Sequence, residues 1–204
     1  MRYFLASKGF WLVLGAPLYY VLYQIGQVLW VRPGALGPDP AQALVTLLGE
    51  IALWMLILVL SVTPLRRVFQ LLRLHGQRRA MGIACFGYAL LHWLAYAALL
   101  LEWQWATLGD DLLKRPYISV GFLAGLILLA MAATSNDWST RRLARRWRQL
   151  HRWGYLAAAL VILHVFWIAR SNFLEIVIYA LIVAGLLVVR WPWFIQKIKM
   201  IKDV

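Results

Sequence analysis

Six apolar runs, each close to the roughly 20 residues that a helix needs to cross a hydrocarbon core of about 30 Å, decide what this chain can become. They cover residues 9–31, 43–62, 81–101, 117–133, 154–169 and 173–189. Lipid offers the backbone no hydrogen-bond partner, so only helices and closed barrels span it, and these runs lack the alternation of a barrel strand. The expectation is an all-α integral membrane protein, a six-transmembrane-helix bundle in which residues 1–204 form one domain and no connection is long enough to hold a soluble one. Composition agrees: 63% of residues are hydrophobic and only 14% charged. Arg2 and Lys8 precede the first run, with no small-residue cleavage site at a suitable distance after it, so that run reads as a retained span.

The basic residues orient the bundle. One side receives Arg2 and Lys8, the arginines at 66, 67, 73, 78 and 79, those at 141, 142, 145, 146, 148 and 152, and Arg190 with Lys197, Lys199 and Lys202. The other side holds only Arg32, Lys114, Arg115 and Arg170, together with Asp39, Glu102, Asp110, Asp111 and Glu175. The positive-inside rule then puts both termini in the cytoplasm. A net charge of +13 follows from that topology, with anionic lipid as the counter-charge, and calls for no nucleic acid partner. Trp30, Trp103 and Trp105 fall near one boundary and Trp138, Trp147, Trp191 and Trp193 near the other, as interface anchors do.

Pro33, Gly34, Gly37, Pro38 and Pro40 turn the chain back between the first two spans, and Thr63 with Pro64 is expected to close the second. No internal repeat or low-complexity tract is evident. The single cysteine, Cys85, excludes an intrachain disulfide and a CxxCH haem attachment, so any haem is non-covalent.

Three histidines lie in or at the edge of the apolar runs: His92, His151 and His164. A titratable side chain at membrane depth marks a functional site by default. His92 lies about 16 Å along the third span from its cytoplasmic start and His164 roughly 20 Å up the fifth from His151, at ~1.5 Å per residue. Two parallel helices thus present one imidazole each at similar depth, the arrangement that clamps a haem iron from both faces and yields a low-spin, electron-transferring b haem. His151 lies about 140° around the helix from His164 and at the inner boundary. It is open to three readings: ligand of a second haem, orienting group for a surface cofactor, or plain interfacial residue. Glu50 stands inside the second span. Gly82, Gly87, Gly121, Gly125 and Gly154 are candidates for close helix or macrocycle approach, and Tyr88 and Tyr96, which flank His92 by one turn on either side, are open to two readings, lining a haem pocket or ordinary bundle packing.

The segments LHWLAY around His92, RPYISVG entering the fourth span, ATSND at its end and WRQLHRWGYLAAALVILH joining His151 to His164 resemble the ferric-reductase-like transmembrane superfamily. Within it they are similar to the haem-binding membrane subunit of the bacterial periplasmic protein-methionine-sulfoxide reductase system. The resemblance covers nearly the whole chain. It implies a multi-pass b-type cytochrome of the bacterial inner membrane that carries electrons outward to a periplasmic molybdenum-cofactor catalytic subunit, its heterodimer partner. Heme b and FMN are the implied cofactors, and His92, His151 and His164 match the family's histidines. His75 matches none.

The broader superfamily places two histidines about 14 residues apart on the third span to hold two stacked haems, whereas here Arg78 stands 14 residues before His92. One haem is therefore expected and a second left open. The larger relatives also carry a cytosolic flavin and nicotinamide domain, for which this length leaves no room. The donor is then the quinone pool or a separate cytosolic flavin reductase, with Arg78, Arg79, Arg145 and Arg146 as candidate phosphate partners for a flavin. The segment 102–117 is the candidate docking surface for the periplasmic partner. The chain so read is an electron-transfer subunit rather than the catalytic one. The rival from another class is a proton- or ion-conducting membrane protein that uses His92, His164 and Glu50.

Overall fold

The computed structural model describes residues 8–69, 77–168 and 173–189; His75 and the basic residues beyond 189 lie outside them. Among the described residues every regular element is helical: α1 (Lys8–Gly26), α2 (Pro40–Phe69), α3 (Arg78–Ala95), α4 (Trp105–Lys114), α5 (Pro116–Ala133), α6 (Asp137–Leu150), α7 (Gly154–Ile168) and α8 (Phe173–Val188). Single π-helical turns extend α1 over Gln27–Val31 and α3 over Tyr96–Leu100, and a 3-10 turn, His151–Trp153, joins α6 to α7. Among the described residues five stretches are long and apolar enough to cross a membrane: Gly9–Val31, Pro40–Leu65, Arg78–Leu100, Pro116–Ala133 and Asp137–Ile168. The last expected span, α8, is apolar but only 16 residues long. The protein is a multi-pass membrane protein.

The helix ends follow local chemistry. The Asp39 carboxylate accepts from the Gln42 amide at 2.9 Å and Pro40 occupies the first helical position of α2, where its missing N–H costs nothing. Asn136 caps α6 through the Ser139 amide at 2.7 Å. After the π turn of α3 the chain reverses through Glu102 and Trp103, both at positive φ (49° and 62°). The Trp103 amide there donates to the Ala97 carbonyl at 2.9 Å, which satisfies a helix-end acceptor. The apolar span ends at Leu65, beside Pro64 as expected, but the proline does not end the helix: α2 runs through it to Phe69. A proline removes one backbone donor and kinks a helix, and neighbouring helices tolerate that defect inside a membrane bundle.

Packing pairs α2 with α3 and α5 with α7, the two most extensive helix contacts. Small side chains set these approaches: Ala124, Cys85, Ala157 and Ala158 are each at most 2% exposed, which lets backbones come close where no hydrophobic force drives association. Leu53, Leu56, Ile57, Leu60, Ile127, Leu128, Tyr179 and Val183 complete this core. A second cluster, Leu14, Val62, Ala80 and Met81, seats α1 on α2 and α3, and the Tyr88 hydroxyl donates across to the Leu14 carbonyl at 2.7 Å.

The two short polar helices lie at opposite ends. At the arginine-rich end, α6 carries Arg141, Arg142, Arg145, Arg146 and Arg148, all exposed, as suits a helix lying in the headgroup plane. It breaks at Ala144, whose backbone (φ 43°, ψ −107°) is not helical. Arg79 and Asp137 pair at 2.6 Å to tie α3 to α6. At the other end α4 is mostly exposed, but Asp111 is turned inward at 7% exposure, accepting from the Tyr96 hydroxyl and pairing with the Arg115 Nε at 3.2 Å.

Candidate haem-binding site

Helices α3 and α7 rise from the arginine-rich end, and each places a histidine near the far end of the bundle, His92 and His164. Their ring centroids are 6.5 Å apart and their planes nearly perpendicular, at 83°. Each imidazole is anchored in the same way. The His92 Nδ1 lies 2.8 Å from the Val45 carbonyl of α2, and the His164 Nδ1 lies 2.6 Å from the Tyr117 carbonyl of α5. A carbonyl only accepts, so Nδ1 carries the proton in both rings, and each Nε2 keeps its lone pair free to ligate a metal.

One helical turn beyond each carbonyl stands a glycine packed on the imidazole. A Cβ on Gly49 would come within 3.1 Å of the His92 Nδ1 and Cε1, and one on Gly121 within 2.5 Å of the His164 Nδ1 and 2.6 Å of its Cε1. Both anchoring bonds span 47 positions. Val45 and Tyr117, Gly49 and Gly121, and His92 and His164 are each 72 positions apart. The two helix pairs therefore carry one structural motif twice, contrary to the expectation of no internal repeat. The residues between these anchors do not repeat, which hides the correspondence in the sequence.

The third expected histidine is not brought to this pair. His151 sits in the 3-10 turn, stacked under Trp147 with centroids 3.9 Å apart, and its Nε2 is 3.4 Å from the Thr134 hydroxyl. That hydroxyl donates to the Ala130 carbonyl at 2.8 Å, so toward His151 it accepts, and Nδ1 is the nitrogen left with a lone pair. Trp147 is held by its own bond to the Thr134 carbonyl, at 2.9 Å. The protonated nitrogen is thus opposite to that of His92 and His164.

The remaining candidates divide. Glu50 follows Gly49 and so points about 100° away from His92. It is exposed on the surface of α2, within electrostatic range of Glu175 and Tyr179 rather than of the imidazoles. Tyr88 and Tyr96 do not aim their hydroxyls at the paired rings, being bound to Leu14 and Asp111. Gly82 and Gly87 have open space where a side chain would go. Gly121, Gly125 and Gly154 do meet neighbours, namely His164, Trp93 and Met131. Cys85 is a core residue whose thiol lies 3.7 Å from the Ala52 carbonyl. Gly49 and Asp111 are the residues that sequence reasoning missed. Among the described residues no group of three or more His, Cys, Asp or Glu gathers as a metal site.

The donor set fits a haem. His92 and His164, with ring centroids 6.5 Å apart and Nδ1 of each bonded to a carbonyl, would be the residues that hold its iron through Nε2. A ferric-reductase-like transmembrane component family model matches residues 47–163, which span both anchoring glycines and His92. The chain is 35% identical over 190 residues, 93% of its length and 91% of the relative's, to the protein-methionine-sulfoxide reductase heme-binding subunit MsrQ of Yersinia pseudotuberculosis serotype O:1b (strain IP 31758). No solved structure matches. The chain therefore belongs to the ferric-reductase-like transmembrane family, and within it to the MsrQ heme-binding subunits.

Proposed function

We propose that this chain binds one heme b between His92 and His164 and serves as the membrane electron-transfer subunit of a protein-methionine-sulfoxide reductase system in the bacterial inner membrane. The observation that carries the reading is the adjacent pair of imidazoles, with centroids 6.5 Å apart, each with Nδ1 committed to a backbone carbonyl. His92 and His164 would hold the haem iron, and a haem so held would supply one-electron transfer. The residues act by fixing it: the carbonyls of Val45 and Tyr117 hold the rings, and the surrounding apolar helices exclude water.

With α8 as sixth span and the positive-inside rule applied to the arginine-rich end, both termini are cytoplasmic and the pair lies in the periplasmic half. α4 is then the periplasmic element, and its exposed face, with Trp105 at 62% and Leu113 at 86% exposure, is the docking surface for a molybdenum-cofactor catalytic subunit. Electrons enter from quinol or from a cytosolic flavin reductase. FMN belongs at the arginine-rich end, where the guanidinium groups of α6 suit its phosphate. His151 offers Nδ1 there, but no other described histidine stands opposite it, which favours a single haem. A proton or ion relay through His92, His164 and Glu50 is disfavoured because Glu50 faces away from both rings.

In proteoliposomes, dithionite-reduced haem is expected to be reoxidised when an oxidised periplasmic methionine sulfoxide reductase catalytic subunit is added. Haem that stays reduced, with a partner shown to be competent, would refute the electron-delivery reading.

A further inference from the structure

We infer that Gly49 and Gly121 are positioning residues for the two axial imidazoles: each opens the helix surface beside its carbonyl, so that a histidine is held by Nδ1 in one protonation state and one ring orientation. The inference deepens the haem reading and rests on His92 and His164 being the ligands.

In a regular α-helix the Val45 carbonyl accepts the amide of Gly49, and the Tyr117 carbonyl that of Gly121. Each carbonyl has a second lone pair, and the imidazole reaches it from the side of the helix over the residue four positions on. A side chain at that residue would occupy the approach. At Gly121 the methyl of an alanine would lie 2.5 Å from Nδ1 and 3.0 Å from Cγ of His164, well inside van der Waals contact. The pressed atom is the donor nitrogen itself, so the ring cannot retreat without stretching its 2.6 Å bond to Tyr117. At Gly49 the corresponding distances are 3.1 Å to Nδ1 and 3.8 Å to Cγ, which a small rotation of His92 relieves. Recurrence of the carbonyl, glycine and histidine at both sites makes a requirement of the ligands a better explanation than chance packing. It also makes the 83° between the rings a property that the helices impose, since each ring is pinned to a different helix pair.

The angle has a spectroscopic signature independent of activity. Parallel axial rings donate into the same iron dπ orbital and split the pair, whereas perpendicular rings donate into one each and leave them nearly degenerate. Near-degeneracy produces a low-spin ferric EPR signal of high g anisotropy.

The test is EPR and haem content of the purified full chain and four single variants. Wild type and Gly87→Ala, whose glycine has nothing within 4 Å, should both show the high-anisotropy signal at full haem content. Gly121→Ala should lose most of its haem or shift toward the ordinary rhombic low-spin signal. Gly49→Ala should keep its haem with a smaller shift in the same direction. If Gly121→Ala does not fold, Gly49→Ala decides. Alanine variants indistinguishable from Gly87→Ala would overturn the positioning role while His92→Ala, the fourth variant, still lost its haem. Haem retained in His92→Ala would instead sink the ligand assignment.

Discussion

Asp111 is a buried carboxylate on an otherwise exposed helix, and its removal should loosen α4 from the bundle by a calculable amount. The residue is 7% exposed and accepts the Tyr96 hydroxyl. A hydrogen bond to a charged acceptor contributes about 1.5–3 kcal/mol. The Arg115 pair on its other oxygen, at 3.2 Å with the arginine side chain 54% exposed, adds under about 1 kcal/mol because solvent screens it. Asp111→Ala should therefore cost about 2–3 kcal/mol, or roughly 4–12 °C in melting midpoint for a chain of this size. Tyr96→Phe should cost less, since Asp111 keeps Arg115. In a double-mutant cycle by thermal unfolding in detergent, coupling between the two should be about 1.5–3 kcal/mol. A coupling below about 0.5 kcal/mol, the level of independent sites, would refute the idea that this bond pins α4. With the bond intact, α4 keeps a fixed place over the end of the bundle that holds His92; if α4 docks the catalytic subunit as proposed, breaking the bond should lower affinity for that subunit and leave the haem spectrum unchanged.

Two further outcomes follow from the arginine-rich end. Ala144→Gly should stabilise the protein by about 1 kcal/mol, since a backbone at φ 43° costs alanine more than glycine; a lower melting midpoint would show that the break in α6 is not strained. His151→Ala should retain the haem of the His92 and His164 pair, with an absorption spectrum close to wild type, because His151 is held by Trp147 and Thr134; loss of that haem would place His151 among its ligands.

His92 and His164 were legible because charge-bearing side chains are rare at membrane depth and their depths can be counted along a helix. Their partners were not. Gly49 is an ordinary residue in a transmembrane helix until the helix facing it is known, and the carbonyls of Val45 and Tyr117 carry no sequence signal. The same gap leaves Tyr88 and Tyr96 undecided in the sequence: spacing puts them one turn from His92, but their hydroxyls follow acceptors on α1 and α4. Pro64 reads as a stop because proline breaks helices in water, whereas apolar neighbours on α1 and α3 carry α2 past it. Asp111 looked like one acid among several on a polar loop, since its burial depends on α4 folding back toward Tyr96.

The central claim is that His92 and His164 together hold one haem. Haem per polypeptide, measured by pyridine haemochrome on detergent-purified wild type, His92→Ala and His164→Ala, tests it most directly. About one low-spin b haem per wild-type chain is expected, and its loss from both variants, which still insert in the membrane. Wild-type haem content retained in either variant would contradict it.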